Sequence, residues 1–161
     1  MAAGKTTVAR VLAARFERGV HLEGDVFRRS IVSGRVEMEP DASPEALDQL
    51  RLRYRLAAAA ADAYVDAGFT VVVEDVIAGR LLDDVRTTIR SRPCHVVVLL
   101  PSAEAVAARE AARGTAGYGA WTVEALHEGF ASGTPRIGIW LDTTDLTPEE
   151  TVELILDRTR R

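Results

Sequence analysis

With 161 residues, 47% of them hydrophobic and 27% charged, the chain has material for one hydrophobic core and too little for two full-sized domains. Its 20 basic and 24 acidic residues leave a net charge of −4, which argues against the broad cationic face that sequence-independent nucleic-acid binding needs. A single cysteine, Cys94, excludes an internal disulfide framework, and no run approaches the roughly 20 apolar residues of a membrane span, so a soluble, cytoplasmic, single-domain protein spanning 1–161 is expected.

Apolar residues at helical spacing (Val8, Val11, Leu12, Phe16) predict a first helix over Thr6 to Phe16, closing near Gly19. Gly19 to Leu22 then reads as a buried strand that ends in Glu23-Gly24-Asp25. Ser43-Pro44 pairs an N-cap residue with proline at the first helical position, and opens a long helix to about Ala67 before Gly68 stops it. Phe69 to Val73, followed by Glu74-Asp75, and His95 to Leu100, followed by Pro101, are non-alternating apolar runs, the pattern of parallel strands covered on both faces. Helices are predicted from about Leu81 to Arg90 and from Ala103 to Arg113, with a strand from Ile137 to Leu141 before the capping box Thr147-Pro148-Glu149-Glu150 opens a terminal helix. Strand and helix alternate throughout, which predicts an α/β parallel sheet flanked by helices. The glycine-rich GTAGYG of residues 114–119 lies within a candidate lid at about 109–122.

The strongest chemical signal is Gly4-Lys5-Thr6-Thr7 at the start of the first helix. Backbone N–H groups at a helix N-terminus together with an ammonium group hold nucleotide phosphates, and a hydroxyl in the place of Thr6 ligates Mg²⁺. Lys5 is the only lysine among the basic residues, so a chain that otherwise uses arginine keeps its one lysine where a phosphate loop needs it. The full motif has an earlier glycine and a preceding strand, neither of which is in the sequence as given; Met1 is therefore expected to be an internal methionine of a longer protein. Without that strand, neighbouring strand edges and apolar faces are expected to lie exposed.

Glu23 and Asp25, at a strand's C-terminal end, face the crevice in which parallel α/β sheets bind ligands. Asp25 is the candidate base for an attacking hydroxyl, with a share in substrate binding, and Glu23 a candidate for orienting Mg²⁺-bound water. Of the nearby Arg28, Arg29 and Arg35, Arg28 is the preferred substrate-binding residue. Asp75, ending the strand Val71-Val72-Val73-Glu74, is the preferred second carboxylate for Mg²⁺. Arg109 and Arg113, four apart on one helix face, have the spacing to close over transferring phosphates. Asp142 and Thr143 follow the last strand and are candidates for the edge of an adenine pocket. The scattered His21, His95 and His127 lack metal-ligand spacing, and Tyr118, Trp121 and Trp140 read as packing residues.

Taken in order, GKTTVAR, HLEGDVFRR, VVVEDV, REAARGTAGYG and IWLDTT resemble a P-loop small-molecule kinase across nearly the whole chain, and most closely the chloramphenicol phosphotransferase-like proteins. The EGD segment is also similar to the paired acidic residues of gluconate and shikimate kinases. The resemblance implies a P-loop NTPase-type fold with a five-stranded parallel sheet and helices on both sides. It also implies ATP with Mg²⁺ as donor and a hydroxyl of a small molecule, such as an antibiotic or a sugar- or nucleoside-like compound, as acceptor. On that basis Gly4, Lys5, Thr6 and Thr7 serve phosphate and Mg²⁺, Asp25 serves as base, and Arg109 and Arg113 belong to the lid. The competing classes are a nucleotide-binding regulatory ATPase, although the chain has no [NT]KxD guanine signature, and an N-terminally truncated P-loop protein without activity.

Overall fold

The computed structural model describes residues 2–113 and 122–160. In chain order the elements are α1 (Lys5–Ala13), β1 (Gly19–Glu23), α2 (Asp25–Arg29), α3 (Pro44–Asp66), β2 (Thr70–Glu74), α4 (Leu81–Thr88), β3 (Val97–Leu99), α5 (Ala103–Arg113), α6 (Val123–Gly133), β4 (Ile139–Leu141) and α7 (Pro148–Thr159). The strands form two parallel pairs, β1 with β2 and β3 with β4, each flanked by helices. Every strand and helix read from the hydrophobic runs and caps is present, several of them trimmed at the ends, but among the described residues there are four strands in two pairs, where the resemblance implies five in one sheet. Two elements are additional: α2, a single short turn of helix directly after Glu23-Gly24, and α6, whose N-cap Thr122 accepts a hydrogen bond from the Ala125 N–H.

Local chemistry explains where the helices start. Ser43 accepts from the Ala46 N–H with Pro44 at the first helical position, and Thr147 and Glu150 form the expected reciprocal capping box of α7. The small residues Ala57, Ala58 and Ala61 of α3 are buried, and this helix packs on both β1 and β2. One core gathers Val8 of α1, Leu141 of β4, and Val152 and Ile155 of α7, with Leu12, Val97 and Leu99 packed around it. Thus α1 and α7 lie against one another over β3 and β4, while α1 also packs on β2.

Two features place the functional ends of the strands. In the β1–β2 pair Glu23 stands opposite Glu74, and the Gly24 N–H donates to the Glu74 carbonyl, so EGD and ED end side by side. At Gly24 an added Cβ would collide with the Asp75 carboxylate, which is why the residue between the two acids of EGD carries no side chain. Among the described residues no helix is long and apolar enough to cross a membrane.

Candidate active site

Gly4 caps α1 in the left-handed region at φ 84°, a conformation that favours glycine. No side chain caps α1 and no acidic residue lies in its first turn, so neither a side-chain acceptor nor a carboxylate of the helix competes for its N-terminal N–H groups. The α1–β2 packing carries this helix start to the C-terminal end of β2, where the Thr6 hydroxyl donates to Glu74 Oε1 at 2.8 Å. Glu74 is buried. On its other side, Nε2 of His21 in β1 lies 3.9 Å from the same Oε1, buried and with no hydrogen-bond partner among the described residues.

Beside this pair lies a network of acids and arginines. Arg53 of α3, only 13% exposed, reaches over the strand ends to pair with the buried Asp75 carboxylate and lies 3.3 Å from Asp25 Oδ1. Asp75 also accepts from the Val76 N–H, and the neighbouring Tyr54 hydroxyl donates to the Val76 carbonyl at 2.7 Å. Arg28 Nε binds Asp25 at 2.6 Å while its terminal nitrogen grips both oxygens of Glu37 at 2.8 and 2.7 Å. Arg29 bridges Asp25 at 2.8 Å and Glu23 at 3.1 to 3.2 Å, and Arg35 pairs with Glu37 at 2.9 Å.

The charges tune one another. The hydrogen bond from Arg28 holds Asp25 below the usual carboxylate range against the opposing effect of burial, and the nearby positive charges of Arg53 and Arg29 add to the lowering. Burial pulls the Arg53 guanidinium down, and pushes the Tyr54 phenol up to about 12. Asp25 is therefore an ionised acceptor at neutral pH, held by arginines yet still 27% exposed on its side chain.

Lys5, Asp25, Arg28, Arg53, Glu74 and Asp75 line one cavity of about 1480 Å³. The structure thus brings the GKTT helix start, EGD and ED together on one cavity. It differs in which carboxylate meets Thr6: Glu74 takes that place, while the carboxylates of Asp75 and Glu23 are turned onto Arg53 and Arg29. Arg53 is not legible as a site residue in the sequence, because RLRYR in the middle of a helix carries no local sign of a distant acid.

Arg109 and the segment after β4 also meet. Arg109 donates to the carbonyls of Thr143 and Thr144 at 2.8 and 3.1 Å, and Asp142 accepts from the N–H and hydroxyl of Thr144. Arg109 is therefore tied to the turn after β4. The Arg113 side chain and residues 114–121 of the expected lid lie outside the described residues.

Solved structures share this arrangement of elements. A sugar kinase from Janibacter sp. HTCC2649, in an unliganded structure, is similar with a TM-score of 0.70 and 21% identity, covering 98% of this chain and 88% of that one. A kinase candidate from Chloroflexus aurantiacus j-10-fl is similar with a TM-score of 0.55 and 17% identity, covering 99% of this chain and 91% of that one. At these identities the likeness shows the fold alone, parallel strands flanked by helices. No curated protein matches the chain in sequence. A family profile, that of the chloramphenicol phosphotransferase-like proteins, matches residues 1–160. Sequence profile and fold agree, and the chain belongs to the chloramphenicol phosphotransferase-like protein family.

Proposed function

We propose that the protein is an ATP-dependent phosphotransferase that moves the γ-phosphate to a hydroxyl of a small molecule. The observation that carries this reading is the hydrogen bond from Thr6, in the helix start that follows Gly4-Lys5, to Glu74 at the end of a parallel strand. It sets a hydroxyl and a carboxylate where a phosphate-bound cation would sit. Family membership supports the transferase class.

The donor set fits Mg²⁺. Among the described residues no cluster of three or more His, Cys, Asp or Glu could hold a metal by itself. Thr6 and Glu74 would instead supply hard oxygen ligands to an ion that arrives with the nucleotide phosphates. When bound, Mg²⁺ would neutralise charge on the phosphate oxygens. The chain's own residues do the rest. The N–H groups of α1 and the Lys5 ammonium bind phosphate, and Asp25 accepts the proton of the acceptor hydroxyl as its oxygen attacks phosphorus.

The arginines bear on the acceptor. Arg28, Arg29 and Arg53 are already matched with Asp25, Glu23, Glu37 and Asp75, so the site offers carboxylate-lined polarity more than unmatched positive charge. That favours a neutral hydroxylated acceptor over a carboxylate or phosphate ester.

The test is acceptor-dependent ADP formation across a panel of neutral polyols, nucleosides and hydroxylated antibiotics, in the parent and in Asp25→Asn. The expected result is phosphorylation of one class of hydroxyl compound, with turnover down by about 10²-fold or more in the variant and nucleotide affinity nearly unchanged. ADP formation that no acceptor stimulates would instead identify a regulatory ATPase.

A further inference from the structure

The guanidinium of Arg28 is held along different edges by two carboxylates. Nε and Nη2 donate to the two oxygens of Asp25 at 2.6 and 3.2 Å, while Nη1 donates to both oxygens of Glu37 at 2.8 and 2.7 Å. Arg35 Nε reaches the same Glu37 carboxylate at 2.9 Å. Hydrogen bonds between a carboxylate and guanidinium groups are charge-assisted and directional, so two arginines converging on one carboxylate define a seat for an anion. Glu37 is thus bound as an anionic ligand would be, one guanidinium away from the candidate base Asp25.

The local chain keeps Glu37 in that place. Residues 31–42, between α2 and α3, form neither helix nor strand, yet Gln49 of α3 fixes their middle. The Val36 N–H donates to Gln49 Oε1 at 3.0 Å, and Gln49 Nε2 donates to the Gly34 carbonyl at 2.8 Å. Val36, Glu37 and Met38 line the cavity that Asp25 and Arg28 also line, and the Glu37 side chain is 52% exposed, so a ligand in the cavity can reach it. Arg28, Arg29 and Arg53 each meet an acid at or beside a strand end, whereas Glu37 is the acid that the connecting segment supplies. Without its charge, Arg28 and Arg35 would face the cavity region with one positive charge unmatched.

We propose that Glu37 sets acceptor specificity: it fills the anion seat of Arg28 and Arg35 with the chain's own carboxylate, admitting neutral hydroxyl compounds and turning away those with a carboxylate or phosphate group near the reacting hydroxyl. This rests on the reading of the site as a phosphotransferase with Asp25 at the acceptor hydroxyl. An acceptor whose hydroxyl meets Asp25 lies against the guanidinium that Glu37 occupies. An anionic group a few bonds further along that acceptor must displace Glu37 and leave two negative charges competing for one seat, a repulsive element of the kind that discriminates between ligands. A neutral hydroxyl group in the same position meets no such repulsion and can donate to the Glu37 carboxylate. Glu39 also lines the cavity but pairs with neither arginine among the described residues, so the seat belongs to Glu37.

The test titrates galactonate and galactitol, which differ by a carboxylate in place of a CH₂OH group, into three proteins: the parent chain, Glu37→Gln, and Glu37→Gln combined with Arg28→Gln. Affinity is read by calorimetry, and the Arg28 Nε–H signal is followed by NMR where Arg28 is present. Galactonate should bind Glu37→Gln at least about tenfold more tightly than the parent, with a shift of the Arg28 signal and a gain that shrinks as salt is added. The gain should vanish in the double variant, and galactitol should respond alike in the parent and in Glu37→Gln. Equal galactonate affinity in those two proteins would overturn the proposal, as would a gain that survives the loss of Arg28 or one that galactitol shares. The titration uses neither nucleotide nor turnover. A lack of acceptor phosphorylation would therefore count against the phosphotransferase reading, while equal galactonate affinity beside acceptor-dependent ADP formation would count against the role of Glu37 alone.

Discussion

At the level of single residues, the chemistry of the site depends on which carboxylate meets which partner. Asp25 is held ionised by Arg28, with Arg53 and Arg29 adding to the effect, so its folded pKa lies below the ordinary 3.8. A base is competent above its pKa, so activity should be retained as pH falls to about 4, and any acid limb above that value must come from another group or from unfolding. A pH profile of kcat/KM with a limb near 6 that disappears in Asp25→Asn would contradict this assignment. Part of the site could be read from the sequence because it is local: Gly4, Lys5 and Thr6 are contiguous, and EGD needs only a strand end. The choice of Glu74 over Asp75 beside Thr6 could not be read in the same way. Adjacent strand residues point to opposite sides, and which side faces α1 depends on packing that a run of valines does not specify. Arg53 depends on the same packing, since α3 brings it to Asp75 across 22 residues of sequence.

At the scale of elements, Asp62 is the main polar tie between α3 and the turn after α4. Burial alone would raise its pKa, but the hydroxyl and N–H of Ser91, the N–H of Arg90 and the Arg90 charge outweigh that effect and hold it at about 2. The folded value lies below the ordinary 3.8, so the stabilisation is full above pH 4 and falls away as pH drops toward 2. The difference corresponds to about 2 kcal/mol. Asp62→Ala should therefore lower Tm by about 5 °C at neutral pH, and the gap between variant and parent should shrink by roughly half near pH 3. Thermal melts at the two pH values measure it, and a gap that stays constant would refute the linkage. The helix boundaries that were legible are those with caps, at Ser43 and Thr147. The short α2 escaped because DVFRR has no periodicity beyond one turn, and its acid and arginines pair only once the turn exists.

At the scale of the whole molecule, alternating strands and helices specify parallel pairing, and β1–β2 and β3–β4 both obey it. Hydrophobic runs also announced strands meant to be covered, yet β2 and β3 each keep one edge on the cavity. That cavity also reaches the cluster of Lys5, Asp25, Arg53 and Glu74.

The central claim is that Gly4 to Thr7 and Glu74 hold the phosphates and cation of a nucleotide. Calorimetric titration of ATP with Mg²⁺ into the chain and into Lys5→Ala tests it most directly. The account predicts saturable binding to the chain, weakened by at least about tenfold in the variant, in keeping with loss of a charge-assisted contact to phosphate. No saturable binding, or identical binding by the two proteins, would contradict it.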